Sequence, residues 1–285
     1  MSPPCDWDWR PDSSTPCTRL TGYVLESRAF FLVGRITRNR SEPAPGGSVN
    51  TVEIHVHFEG VLLDLFGTLV PVGSRDDRAP HLHEMARLLE VDPVRFEGDW
   101  AKSLELRCSG QLGSLEECLR RIAGRQGIVP TFDHVRESVE VRLAFCQSPL
   151  ESCGPVLPEL DALRAAGVRL AVVSDTSGET PRLWPSTVLG QRFDATVFSC
   201  EEGFCKPDPR MYQRALQRLH LPAERCAFVG DGGSHELTGA TTVGLAAFLY
   251  NFPGASPTPD ARYDPDAEWN GPPLPDLRNL LTVTH

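Results

Sequence analysis

Apolar runs long enough to cross a membrane are missing from this 285-residue chain: stretches such as Ala29 to Val33 fall far short of the roughly 20 residues a bilayer span needs. Positive charge is scarce too, with 28 Lys and Arg against 38 Asp and Glu and a formal net charge of -10. Phosphate backbones need clustered cations, so nucleic acid is excluded as a partner, and an anionic substrate must be met by local positive charge or a metal. The nine cysteines are odd in number and never form a C-x-x-C pair. That spacing argues against a disulfide frame or a zinc site and for reduced thiols in a cytoplasmic protein. No basic leader with a long apolar region opens the sequence, so export is not expected. Internal repeats and coiled-coil heptads are lacking as well, which leaves the oligomeric state open. What is present is ordinary for a globular domain: 40% apolar residues, enough for a sizeable core.

Residues 1–50, rich in Pro, Ser and Arg, read as a weakly ordered N-terminal extension with no assigned function, and a translation start further downstream is an alternative. From Thr51 the pattern alternates through Val52, Ile54, Val56 and Phe58, with His55 and His57 as solvated strand residues, and a buried run Val61 to Leu65 follows. Residues 76–152 turn helical. Leu82, Met85, Leu88 and Leu89 recur at helical spacing, Ser114 and Glu117 form a capping box, and Thr131 caps a helix beginning at Phe132. After Gly154, helices near 157–166, 181–190 and 209–219 alternate with strands near 169–174, 195–199, 226–230 and 245–250, before a last short helix near 274–281. Such alternation implies an α/β fold, a parallel sheet covered on both faces, with 51–75 and 153–285 as its core and 76–152 as an all-helical insertion.

Asp64, Ser174, Lys206 and Asp231 fall at the carboxyl ends of the expected strands or in the loops just beyond, where α/β folds bind ligands. Their types suit one chemistry. Transfer of a phosphoryl group to a carboxylate needs a nucleophile, a hydroxyl and an ammonium to hold the phosphoryl oxygens, and acidic ligands for Mg²⁺.

The segments Asp64-Leu65-Phe66-Gly67-Thr68-Leu69, Val172-Val173-Ser174-Asp175, Gly203-Phe204-Cys205-Lys206-Pro207-Asp208-Pro209 and Val229-Gly230-Asp231 through Glu236 together resemble the four motifs of the haloacid dehalogenase (HAD) superfamily, in its order. The resemblance covers residues 59–282. It implies a Rossmann-like doubly wound core and a helical cap inserted after the first motif. By it, Asp64, Ser174 and Lys206 are the catalytic residues, and Asp64, the Phe66 carbonyl, Asp231 and Glu236 are the Mg²⁺ ligands. Thr68 and Asp175 are substrate-binding, and the small-molecule substrate meets the cap, where Trp100 and Arg107 are the first candidates, with Arg75 and Arg78 in the segment leaving the first motif. Core packing for Trp100 and solvated charge for the arginines are the plainer alternatives.

One position departs from the pattern. The family's phosphatases usually carry a second Asp two residues after the nucleophile, as proton donor to the leaving oxygen; here Phe66 stands there. Its ring cannot move a proton, and general acid–base help is worth about 10² to 10⁴ in rate. An aromatic at this place resembles the family's metal-independent 2-haloacid dehalogenases, whose halide leaves without protonation. Asp231 favours the Mg²⁺-dependent phosphatase, because an acid lodged beside Asp64 without a cation would only repel it. A dehalogenase-type hydrolase and a catalytically weak binding module stay as alternatives, and His235 is a substitute proton carrier or, more plainly, a solvated helix residue.

Overall fold

In the central strands almost every side chain is apolar and buried on both faces, the signature of a parallel sheet covered by helices. The computed structural model describes residues 55–56, 58–73, 75–254, 271 and 273–284. The N-terminal extension, His57 and the side chain of Arg75 lie outside the described residues. Strand β1 (His55–Val56) is followed by β2 (Gly60–Leu63), β3 (Arg169–Ser174), β4 (Ala195–Phe198), β5 (Cys226–Gly230), β6 (Ala246–Leu249) and β7 (Val283–Thr284). Five of them form one parallel sheet in the order β4-β3-β2-β5-β6. Leu63 pairs with Val172 on one side and Val229 on the other, so β2 lies between the two strands that deliver Ser174 and Asp231. The α/β architecture read from the sequence is the one observed.

The insertion after β2 holds five α-helices among the described residues: α1 (Arg75–Leu88), α2 (Pro93–Lys102), α3 (Leu104–Cys108), α4 (Leu115–Gly124) and α5 (Phe132–Glu151). They bury their own cluster, including Leu82, Met85, Leu89, Phe96, Trp100, Leu119, Ile122 and Val139. Each such side chain contributes about 1.5–3 kcal/mol on burial. The local signals act as the sequence suggests: Glu117 N–H donates to Ser114 Oγ at 3.2 Å and Ser114 N–H to Glu117 Oε2 at 2.7 Å, and Thr131 Oγ1 accepts from His134 N–H at 3.2 Å. The α2 start is similar, with Pro93 behind Asp92, whose carboxylate accepts from Arg95 N–H.

Downstream, α6 (Leu157–Ala165), α7 (Glu179–Leu183), α8 (Ser199–Glu202), α9 (Pro209–Leu219) and α10 (Glu236–Thr242) flank the sheet. α9 opens on Pro209 behind Asp208 and buries Met211, Tyr212, Ala215, Leu216 and Leu219 in one cluster with Leu62, Ala171, Val173 and Phe228 of the sheet.

Three elements differ from the sequence expectation. The helix expected near 181–190 is only α7, followed by 3-10 turns at Trp184–Ser186 and Gly190–Arg192. Pro185 removes a backbone donor, and Thr187 Oγ1 diverts the Gly190 N–H at 2.9 Å, so an α-helical ladder cannot continue. The last helix is a 3-10 segment, Leu277–Thr282. Of the strand expected over 52–58, the described residues are His55–Val56, a strand paired antiparallel with Val283–Thr284 rather than with the main sheet, and Phe58, which lies outside any strand.

Candidate active site

Asp64 is the first residue past β2 and keeps the sheet's register through its N–H bond to the Val229 carbonyl at 2.9 Å. The chain then turns sharply, with Gly67 N–H bonding the Val70 carbonyl at 2.8 Å. Gly67 has φ +92, a left-handed conformation, and a Cβ there would overlap Asp231 Oδ2. Only glycine lets the turn after Asp64 approach the carboxylate after β5.

The Asp64 carboxylate is buried and held on both oxygens: Thr68 Oγ1 donates to Oδ2 at 3.2 Å, and Lys206 Nζ donates to Oδ1. Lys206 is placed by its backbone, whose N–H donates to Asp175 Oδ1 at 2.9 Å. Its ammonium also donates to Glu236 Oε2, while Glu236 Oε1 accepts from Gly232 N–H at 3.1 Å. Tyr212 Oη donates to the Glu236 carbonyl at 2.8 Å, tying the start of α10 to α9; sequence reading did not single out this tyrosine. Asp231 Oδ1 accepts from Gly233 N–H at 3.0 Å.

Asp64, Asp231 and Glu236 offer oxygens that all lie within 4.8 Å of one another. Burial and the nearby Asp64 push Asp231 up to about 6 and hold Glu236 well above the usual carboxylate range. Burial alone would pull Lys206 down, but Asp64 and Glu236 outweigh it and keep the ammonium charged. Three carboxylates against one ammonium leave a surplus of negative charge, which an oxygen-coordinated divalent cation would cancel. The donor set therefore fits Mg²⁺, though Glu236 has both oxygens engaged. Ser174 at the end of β3 is 1% exposed, and its hydroxyl has no partner among the described residues. A buried hydroxyl without a partner is costly, and an oxygen of a bound group would satisfy it.

Trp100 and Arg107 belong to a second group. Trp100 is buried in the insertion's core, stacked on Phe96 with Arg107 4.0 Å from its ring centroid, so packing rather than an open face describes its setting. Arg107 is buried as well and bonds Ser103 Oγ, the Trp100 carbonyl and, across to the loop after β3, Ser177 Oγ at 3.3 Å. Beside it Arg142 of α5 donates to Glu179 at 2.6 Å. Sequence reading missed Ser177, Glu179 and Arg142, since an acid in a helix's first turn reads as a dipole partner. Burial would raise the Glu179 carboxyl, but Arg142 and Arg107 outweigh it and hold it at about 2. Arg78 donates to the Gly73 carbonyl at 2.9 Å, and His235 is exposed, with φ 53.

His81 stacks on Phe145 at 3.6 Å with its Nε2 3.0 Å from Arg142, and burial and that guanidinium pull it to about 3. The unfolded chain, with an ordinary histidine near 6.5, binds more protons between those values, so stability falls as pH drops through that window. Urea unfolding at pH 7 and pH 5 should reveal about 2 kcal/mol of acid lability that the His81→Gln variant lacks. Equal pH slopes in the two proteins would show that His81 is not held neutral.

A profile of the haloacid dehalogenase-like hydrolases matches residues 58–244. The chain belongs to this family. A glyceraldehyde 3-phosphate phosphatase of Methanothermobacter thermautotrophicus is 36% identical over 92 residues, 31% of this chain and 40% of that protein. An (S)-2-haloacid dehalogenase, H-109, of Pseudomonas putida is 27% identical over 204 residues, 70% of this chain and 88% of that enzyme. The chain thus spans less than half the length of that phosphatase. Among solved structures, a 2-haloacid dehalogenase from Pseudomonas syringae pv. tomato shares the fold at TM-score 0.56, with 22% identity over 79% of this chain and 96% of that one. This HAD-like hydrolase thus has relatives of both kinds, and no helix among its described residues is long and apolar enough to cross a membrane.

Proposed function

We propose that this HAD-like hydrolase is a Mg²⁺-dependent phosphatase of a small phosphorylated molecule, working through an aspartyl-phosphate on Asp64. The observation that carries the reading is the surplus of buried carboxylate around that residue: Asp64, Asp231 and Glu236 against the single ammonium of Lys206. Mg²⁺, held by Asp64, the Phe66 carbonyl and Asp231, would supply charge neutralisation for an anionic substrate. Glu236, which offers an oxygen within 4.8 Å of those of Asp64 and Asp231, would be a further ligand and bonds the Lys206 ammonium.

An Asp64 oxygen attacks phosphorus while Ser174 Oγ and Lys206 Nζ hold the transferred oxygens. The leaving oxygen departs, and water then cleaves the acyl phosphate to restore Asp64. Thr68 orients the nucleophile and Asp175 fixes the lysine. Residues 51–75 and 153–285 serve as catalytic core, and 76–152 as a cap that excludes water from the site. Because Phe66 gives the leaving oxygen no proton, substrates with good leaving groups suit the site best.

Phe66 and the Pseudomonas putida relative favour a second reading, metal-independent dehalogenation. Acetyl phosphate and p-nitrophenyl phosphate, and separately 2-chloropropionate, each assayed with Mg²⁺ and with EDTA, distinguish the two. Phosphate release that EDTA abolishes is the expected result; chloride release indifferent to EDTA would sink the proposal. In the same assay Phe66→Asp should hold or raise turnover of p-nitrophenyl phosphate, by up to about 10² where proton transfer limits the rate. A loss of activity in that variant would instead give the ring a positive role, as a dehalogenase requires.

A further inference from the structure

The Ser174 hydroxyl is buried without a partner among the described residues, so its place is fixed by the backbone that carries it. That backbone leaves the sheet at once: Ser174, opposite Phe198, is the last pair of the ladder between β3 and β4. Beyond it the next link is a side chain. Ser199, the first residue after β4, is fully buried, and its Oγ accepts from Thr176 N–H at 2.9 Å and donates to the Thr176 carbonyl at 3.2 Å. One hydroxyl thus supplies the donor and the acceptor that a further strand residue would have offered, and satisfies both backbone groups of Thr176 where the sheet has ended. The Thr176 side chain is tied in turn to the Thr180 hydroxyl of α7.

The same oxygen reaches the segment that bears the lysine. Ser199 also shares a hydrogen bond with the thiol of Cys205, the residue before Lys206. A hydroxyl has one proton and two lone pairs, so Thr176 N–H, the Thr176 carbonyl and Cys205 use all of its capacity. Alongside this node Asp175 Oδ1 accepts from Lys206 N–H at 2.9 Å. Two neighbouring ties therefore join the two segments: Asp175 to Lys206, and Thr176 through Ser199 to Cys205. The groups assigned to the phosphoryl oxygens lie close by, Ser174 just before Asp175 and Lys206 just after Cys205. Asp64 and Asp231, by contrast, follow β2 and β5, strands that do not pair with β4.

We propose that Ser199 is a positioning residue of the active site: through Thr176 and Cys205 it fixes the spacing between the Ser174 hydroxyl and the Lys206 ammonium, the two groups that hold the transferred phosphoryl oxygens. This rests on the phosphatase reading above. It accounts for a fully buried hydroxyl at the point where β4 stops and the four-residue α8 starts the chain toward Lys206. It also separates two duties within the site: the oxygen holders depend on the edge formed by β3 and β4, and the aspartates that would hold the cation depend on β2 and β5.

The test uses the full chain, with p-nitrophenyl phosphate as substrate and orthovanadate as an inhibitor that takes the place of the transferred group. In Ser199→Ala, kcat should fall and the orthovanadate inhibition constant should rise, each by about tenfold, the worth of one buried hydrogen bond, while half-saturation by Mg²⁺ stays within about twofold. Amide exchange at Thr176 should quicken in the same variant. Ser199→Thr, which keeps the oxygen, should recover part of the loss; a role in packing alone predicts the reverse order, since threonine adds a methyl group to a filled position and alanine does not. Should Ser199→Ala fail to fold, Ser199→Cys, which keeps the shape and weakens every bond the oxygen makes, should show the same split at smaller size. Unchanged orthovanadate inhibition, Mg²⁺ half-saturation that worsens in step with it, or threonine no better than alanine overturns the proposal. An unaltered protein that turns over p-nitrophenyl phosphate, with variants at Ser199 indistinguishable from it, removes the positioning role and spares the phosphatase reading; one that neither turns it over nor binds orthovanadate removes both.

Discussion

Asp64→Asn should abolish phosphate release, by a factor on the order of 10⁴ or more, without unfolding the protein. Asparagine has the shape of aspartate and its amide oxygen can still accept from Lys206, but it cannot form the acyl phosphate. What distinguishes chemistry from damage is the direction of the stability change. The site holds three carboxylates against one ammonium, and burial with Asp64 already pushes Asp231 up to about 6. Deleting one of those charges relieves repulsion, so the melting temperature should stay within a few degrees of the parent's or exceed it. Acetyl phosphate labelled at phosphorus should leave no label on the variant, and labelling that persists would move the nucleophile elsewhere.

Lys206→Met should do the opposite, damaging fold and activity together. The ammonium is enclosed and shared by Asp64 and Glu236, so its loss leaves two buried carboxylates facing each other. Removing one partner of a buried ionic group costs about 3–5 kcal/mol, a fall of roughly 10 °C in a domain of this size. The sign of the pH dependence follows from the neighbours. Asp231 and Glu236 have folded-state values above their ordinary ones, so the folded form takes up more protons than the unfolded chain as pH falls through 6. The deficit should therefore be smaller at pH 5 than at pH 7.5 in urea titrations. A deficit that is constant, or that grows in acid, would mean the ammonium does not balance those carboxylates.

The parts of this fold that read clearly from sequence are those whose cause is local. β3 and β5 are built on the apolar runs Leu170–Val173 and Cys226–Val229; the Ser114 and Thr131 caps are side chains bonding the backbone three residues on. The cluster was legible because Asp64 and Asp231 sit just past strands, Glu236 opens a helix and Lys206 lies in the loop between α8 and α9, and parallel strands gather such positions at one edge. Contacts between remote segments carry no such signal. Nothing near Arg107 announces Ser177, 70 positions away, and nothing near Val56 announces Val283. The shortened α7 was missed for a smaller reason: Thr187 offers its hydroxyl to the backbone in competition with the helix, a choice that neighbouring packing decides.

The register of β2 has a consequence for how the chain tolerates mutation. Alternate residues of a strand face opposite sides, and Leu62 lies in the cluster beneath α9 while Asp64, two positions on, follows the same alternation. A slip by one residue would swing the carboxylate away from the ammonium and bring Leu63 or Leu65 into its place. Hydrophobic side chains of the interior thus act as the alignment jig for a polar reaction centre, and loosening them should blunt turnover well before it melts the molecule.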